Sequence, residues 1–202
     1  INNLDGSFWR SEIKPVQFKN SKKNTEQEVY LNEAITLLES FRLNSKKLSE
    51  IFDIDQLSKL MAAKAIMGSI EFDWRDLKFY YNPLTKLLEP IGREVHVDLN
   101  QSQMNSWWAD LSPVNFAHST DQKYFLSLLF EDKLFFEKYL KNLSRMTKKN
   151  YVRQVIAKNG AEFNKYEKVL NQNYPRQNTF SYNYVEKYRN EIKKTLNPIQ
   201  GI

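Results

Sequence analysis

Apolar residues recur at helical spacing near the start of the chain. Leu31, Ile35, Leu38 and Phe41 lie three or four residues apart, so they share one face of a helix. The residues between them are mainly polar and suit the face that contacts water. The pattern therefore predicts an amphipathic helix over 28–41 that packs on a core.

A second helix is predicted directly after Asp53, whose carboxylate can accept a hydrogen bond from a backbone N–H of the first turn. Apolar residues then follow at helical spacing from Ile54 to Ile66. Gly68 is the expected stop, because glycine readily adopts the left-handed conformation that ends many helices.

A β-hairpin is predicted next. Residues 77–81 include consecutive aromatic side chains, which favour strands, and 87–91 supply the return strand. Asn82 and Pro83 are typical of a turn, because proline presets the backbone angle that a turn needs.

The rest of the chain is predicted to be a long loop over 100–120 followed by helices. The helices are predicted over 121–130, 132–143, 147–158, 161–171 and 182–196. Asn159-Gly160 and Tyr174-Pro175 are the predicted breaks, and Thr147 is the predicted N-cap of the third of these helices. This order predicts an α+β fold, mostly helical, with a small β-hairpin after the second helix.

Composition limits the classes of protein that remain. The chain has 202 residues, 41% of them hydrophobic, which is enough to build a core. No apolar run approaches the roughly 18 residues of a transmembrane helix. The absence of cysteine excludes disulfides and thiol nucleophiles.

The net charge of +6 is concentrated late in the chain, with 16 Lys and Arg against 8 Asp and Glu from Asp121 onward. These basic residues are predicted to lie on the solvated faces of helices, so nucleic-acid binding is not favoured. The positions used for this prediction are Lys141, Lys148, Lys149, Lys165 and Lys168.

Acidic residues flank both strands of the predicted hairpin. Asp73 and Asp76 precede it, and Glu94 and Asp98 follow it with His96 between them. A hairpin brings the outer ends of its strands together, and carboxylate oxygens suit divalent cations or metal-bound phosphates. The flanks of the hairpin are therefore the first candidate for a metal or phosphate site.

Four short runs resemble the CotH kinase family, an atypical kinase family named for a bacterial spore-coat protein. They are FDIDQL at 52–57, AAKAIMG at 62–68, FYYNPLT at 79–85 and LEPI at 88–91. The order of helix, acids, hairpin, acid and helical bundle is also that of the C-terminal lobe of a protein kinase. The His-Arg-Asp and Asp-Phe-Gly signatures of conventional kinases are absent.

The resemblance implies an ATP-dependent protein kinase that uses Mg or Mn and phosphorylates Ser or Thr of coat or surface proteins. It places Glu94 and Asp76 at the metal-binding positions and Glu71 at the catalytic acid, with Asp73 as a competitor for that role. Arg93 stands where the family has Trp, and it either pairs with the neighbouring acid or meets a phosphate oxygen. Glu71, Asp76 and Glu94 all depart from the residue types of the family.

The resemblance also sets an expected domain organisation. Residues 28–202 correspond to a helical, kinase-like C-terminal lobe. Residues 1–27 are an irregular lead-in and a possible remnant of a missing N-terminal lobe. No Gly-rich phosphate loop occurs in 1–70, so we expect that lobe to precede Ile1. A secreted or coat-associated location is what the family implies.

Other assignments stay open at this point. A catalytically inactive relative would serve as a binding or adhesion module, with the adjacent Trp107 and Trp108 at the contact. His96 and His118 offer a second kind of metal cluster with the nearby acids. Glu71, Asp73 and Glu94 would also suit the carboxylate pair of a glycosidase, but this assignment is not favoured, because such pairs are common by chance among 24 acids.

Overall fold

The computed structural model describes residues 12–15, 25–67, 77–92, 124–174 and 182–199. Its elements, in chain order, are α1 (Thr25–Arg42), a 3₁₀ helix (Leu48–Glu50), α2 (Ile54–Ile66), β1 (Lys78–Asn82), β2 (Leu87–Ile91), α3 (Tyr124–Glu131), α4 (Lys133–Met146), α5 (Lys149–Asn173) and α6 (Tyr182–Ile199). These residues are mostly helical, with a small two-stranded antiparallel sheet, which confirms the predicted α+β class.

The first two helices form where the apolar periodicity predicts them. α1 covers the whole predicted span 28–41 and extends slightly beyond it at both ends. α2 begins after Asp53, whose carboxylate accepts a hydrogen bond from the backbone N–H of Gln56 at 2.9 Å, so the predicted N-cap is confirmed. Gly68, the predicted stop, lies outside the described residues.

The predicted hairpin is also confirmed, with β1 starting one residue later than expected. Asn82 pairs with Leu87 at the closed end of the sheet. The side-chain oxygen of Asn82 accepts the N–H of Leu84 at 2.9 Å, and Lys86 takes the left-handed conformation with a φ of 57°. The turn is therefore built by a local side-chain bond of the kind that makes asparagine favourable there.

The core forms where α2 packs along α4. Met61, Ala62 and Ala65 of α2 are completely buried, as are Phe135 and Tyr139 of α4. The two alanines lie three residues apart on one face of α2, and their small side chains allow close packing of a neighbouring helix. This pairing joins segments more than seventy residues apart in the chain.

α6 packs on the same core from another direction. Its buried apolar residues recur every three or four positions, as in an amphipathic helix; they are Val185, Tyr188, Ile192 and Leu196. α6 covers the predicted helix 182–196 and continues to Ile199.

The predicted break at Asn159-Gly160 is wrong, because α5 runs without interruption through both predicted helices 147–158 and 161–171. The side chain of Asn159 donates to the backbone carbonyl of Val155 at 2.9 Å, so it bonds within the helix. A glycine inside a helix costs only about 1 kcal/mol relative to alanine, which is not enough to end it.

The predicted role of Thr147 is also wrong. Thr147 is the C-cap of α4, and Lys148, without a side-chain capping bond, occupies the N-cap position of α5. The hydroxyl of Thr147 donates to the carbonyl of Ser144, and its own carbonyl accepts a bond from the guanidinium of Arg189 at 3.0 Å. A contact with α6 therefore satisfies a carbonyl at the C-terminal end of α4.

The remaining helix predictions agree with the structure over the described residues. α3 begins at Tyr124, and the predicted start at 121 lies outside the described part. Phe125 of α3 is completely buried in the core. The five lysines assigned to solvated helix faces are all exposed, namely Lys141, Lys148, Lys149, Lys165 and Lys168.

Candidate functional site

The residues predicted to form the site lie outside the described part of the structure. They are Glu71, Asp73, Asp76, Arg93, Glu94, His96, Asp98, Trp107, Trp108 and His118. They belong to 68–76 and 93–123, the two segments that flank the hairpin in the sequence. What the structure does describe is the hairpin between these segments and the surfaces around it.

Backbone hydrogen bonds fasten the hairpin to the start of α2. The N–H of Leu88 donates to the carbonyl of Ile51 at 2.8 Å, and the N–H of Asp53 donates to the carbonyl of Leu88 at 2.9 Å. These bonds form a short parallel bridge between β2 and the residues that precede α2. Leu88 also inserts its side chain into the core, with only 1% of its surface exposed. β2 is thus held by both its backbone and its side chain.

Aromatic rings hold the other strand. The ring of Phe79 in β1 lies 5.1 Å from that of Phe52, and Phe52 in turn meets Phe41 of α1 edge to face at 5.1 Å. Edge-to-face and tilted pairs at this distance are favourable beyond the area they bury. The hairpin therefore has a defined position relative to both α1 and α2.

The open end of the hairpin lies beside α2. Lys78 is opposite Ile91 in the register, and Leu77 and Gly92 continue the two strands outward. A β-carbon at Gly92 would be 3.8 Å from a side-chain methyl of Leu60, in the middle of α2. Leu77 and Gly92 are the last described residues before the candidate acids on each side.

A tyrosine pair connects the hairpin to α1. The hydroxyl of Tyr81 donates to the carboxylate of Glu33, and the ring of Tyr81 lies 6.0 Å from that of Tyr30. Burial, with the Glu33 hydrogen bond as a second cause, raises the pKa of Tyr81 to about 12. The hydrogen bond to Glu26 likewise raises the pKa of Tyr30. Both phenols therefore stay protonated near neutral pH and act as hydrogen-bond donors.

Sequence reasoning missed the bond between Tyr81 and Glu33. The two residues are 48 positions apart, and neither belongs to a recognisable motif. A tyrosine in a strand and a glutamate in an amphipathic helix are both unremarkable locally. No signal in the sequence pairs them.

A concave surface lies at the C-terminal end of α2, and we call it the apolar groove. It encloses about 350 Å³ between the ends of α2 and α4, the first half of α5 and the start of α6. Its lining is apolar apart from Asn159 and the hydroxyl of Tyr151. Sequence reasoning missed this groove because its walls come from four separate helices.

Two further findings apply to the described residues alone. Within 12–15, 25–67, 77–92, 124–174 and 182–199, no group of three or more His, Asp or Glu side chains is placed to hold a metal ion. In the same ranges, none of the helices combines the length and the apolar character needed to cross a membrane.

Comparison with known proteins identifies no relative. No protein-family model, no curated protein and no solved structure matches the chain.

Proposed function

We propose that this chain is a divergent CotH-like kinase domain that transfers the terminal phosphate of ATP to Ser or Thr of coat or surface proteins. The observation that supports the proposal most is the anchored hairpin between α2 and the helices α3 to α6. Protein kinases place a small hairpin at this point of the C-terminal lobe, between the catalytic and the metal-binding acids. The family motifs at 52–57 and 79–91 lie where the hairpin is fastened to α2.

Five of the residues that flank the hairpin would have a role in this reaction. Asp76 and Glu94 would hold Mg or Mn, since carboxylate oxygens are the ligands these hard cations prefer. ATP with the metal supplies the transferable phosphate. Glu71 or Asp73 would accept the proton of the substrate hydroxyl, and Arg93 would meet a phosphate oxygen or pair with Glu94.

A second candidate function is a non-catalytic binding or adhesion module. The departures at Glu71, Asp76 and Glu94 favour it, because a glutamate in place of a metal-binding aspartate displaces the carboxylate by about 1 Å and Mg²⁺ demands near-ideal octahedral geometry. In this version Trp107 and Trp108 form the contact with a surface or coat protein.

Thermal unfolding of the full natural protein with ATP and Mn, separately and together, tests the first candidate. A ligand at 100 times its dissociation constant stabilises the native state by about 2.7 kcal/mol. For a domain of this size that corresponds to a rise of about 5–10 °C in the midpoint. The rise should need both ATP and metal, and it should disappear in the Asp76→Ala/Glu94→Ala double variant.

A matched control removes two acids elsewhere. Glu131 and Glu162 are exposed on α3 and α5, so Glu131→Ala/Glu162→Ala makes the same change in net charge and should keep the full shift. Transfer of labelled phosphate to dephosphorylated casein then separates the two candidates. An ATP shift without transfer favours the binding module, and the absence of any ATP shift would refute nucleotide binding at the hairpin.

A further inference from the structure

The apolar groove opens onto a longer exposed surface on α5. Ile156 and Phe163 line the groove, and the same face of the helix continues outward through Tyr166 and Leu170. Tyr166 is 57% exposed and Leu170 is 54% exposed, both high for large apolar side chains. From Ile156 to Leu170 the helix rises about 21 Å, the length of about four helical turns.

The groove and this face of α5 form one elongated apolar surface. Val155, which lines the groove, is itself 46% exposed. Contiguous exposed apolar surface of this kind marks interaction sites in soluble proteins. A long shallow groove suits an amphipathic helix, which lays one apolar stripe into it and leaves its polar face in water.

Exposed cations lie beside the groove. Arg145 directly precedes the groove residue Met146, and Lys148 and Lys149 follow it in the connection from α4 to α5. The guanidinium of Arg145 lies 5.9 Å from the ring centre of Tyr151, which lines the groove. Lys158 is exposed one helical turn after Val155. Cations therefore flank the apolar surface at its edge.

This combination selects one kind of partner. A second copy of the chain would bring two basic rims together, which electrostatic repulsion opposes. A nucleic acid would pair with the cations but would leave the apolar groove unfilled, because its phosphate backbone offers no apolar side chains. A bilayer surface is flat, whereas the groove is concave. A protein segment with apolar anchors and acidic flanks satisfies both the groove and its rim.

We propose that the apolar groove and the adjoining face of α5 dock an acidic amphipathic helix of a partner protein. This docking does not rest on the phosphate transfer proposed for the residues that flank the hairpin. The anchors of the partner would fill the groove beside Met67 and Phe163. Its carboxylates would pair with Arg145 and Lys158.

Fluorescence anisotropy with two designed peptides tests the proposal on the full chain. Both peptides place leucine at helical spacing on one face, and the other face is glutamate in one peptide and lysine in the other. The acidic peptide should bind at least about tenfold more tightly than the basic one, and added salt should weaken its binding. Equal binding of both peptides, or no binding of the acidic one, would overturn the proposal.

Surface variants locate the binding site without disturbing the core. Val155→Glu and Leu170→Glu introduce charge on the apolar surface and should each weaken binding of the acidic peptide by about tenfold or more. Lys158→Glu should also weaken this binding, because it removes a cation that would pair with the carboxylates of the peptide. Leu84→Glu, at a hairpin-turn residue that is 92% exposed, and Lys47→Glu, in the loop before the 3₁₀ helix, are the matched controls and should change nothing.

The competing occupants give distinct results. The protein could instead bind phosphatidylserine vesicles or duplex DNA, fail to bind the acidic peptide, and lose the vesicle or DNA binding in Leu170→Glu. That result would assign the surface to a membrane or a nucleic acid. A dimer in analytical ultracentrifugation that the same variant dissociates would assign it to a second copy. Each of these results overturns the docking of an acidic helix. Circular dichroism of every variant shows whether the fold is intact.

Discussion

Leu88→Ala should strongly destabilise the protein, because Leu88 is the one residue of β2 that is buried in the core. Leu88 is 1% exposed, so its truncation removes three buried carbon groups, worth about 0.8 kcal/mol each or about 2.4 kcal/mol in all. Incomplete collapse of the cavity raises the expected loss in free energy of unfolding to about 3–4 kcal/mol. The backbone bonds of Leu88 to Ile51 and Asp53 do not involve the side chain and remain available in the variant.

Urea unfolding followed by circular dichroism measures this loss. With a denaturant dependence of about 2 kcal/mol per molar urea, the midpoint should fall by about 1.5–2 M. Leu84→Ala makes the same chemical change at a turn residue that is 92% exposed and should cost less than about 0.5 kcal/mol. Similar midpoints for the two variants would show that the hairpin does not depend on Leu88 packing, and would remove the basis for treating it as an anchored element.

Three further predictions concern local features of the same framework. Asp53→Ala should lower the free energy of unfolding by about 1 kcal/mol through loss of the α2 N-cap, while Asp53→Ser should retain most of the stability in the same urea titration. Gly160→Ala should raise the thermal midpoint, since alanine favours helix by about 0.5–1 kcal/mol and its β-carbon would meet no atom within 4 Å; a lower midpoint would contradict the continuous α5. Tyr81 should titrate near pH 12 by absorbance, and because its pKa is raised on folding, its stabilising contribution is complete below about pH 10 and is lost as the pH rises toward 12. The difference in stability between the natural protein and Tyr81→Phe should therefore shrink between about pH 10 and pH 12, and an unchanged difference would argue against the buried position of Tyr81 and its bond to Glu33.

Local signals were sufficient for most of the framework. The helix after Asp53 and the turn at Asn82 were predicted correctly, because each depends on a side chain bonding to backbone atoms two or three residues away. α1 was predicted from apolar spacing alone. The residues proposed for ATP, metal and catalysis remain predictions from the family resemblance, since they lie outside the described residues.

The wrong predictions also came from local signals. Thr147 has the side chain of a helix N-cap, yet it ends α4, and its carbonyl is held by Arg189, 42 residues later in the chain. Asn159-Gly160 is typical of a turn, yet α5 continues through it. Glycine destabilises a helix by only about 1 kcal/mol relative to alanine. Interrupting a long helix would cost more free energy, because a new helix must be nucleated after the break.

The sequence by itself determined the class of the fold, the start of α2, the position of the hairpin turn and the basic character of the stretch 138–161. All of these depend on residues close together in the chain. Only the tertiary structure decided that β2 bridges to the residues before α2, that Tyr81 bonds Glu33, and that four helices enclose an apolar groove beside a basic rim. These features join distant segments, and their free energy comes from burial and pairing that no local pattern encodes.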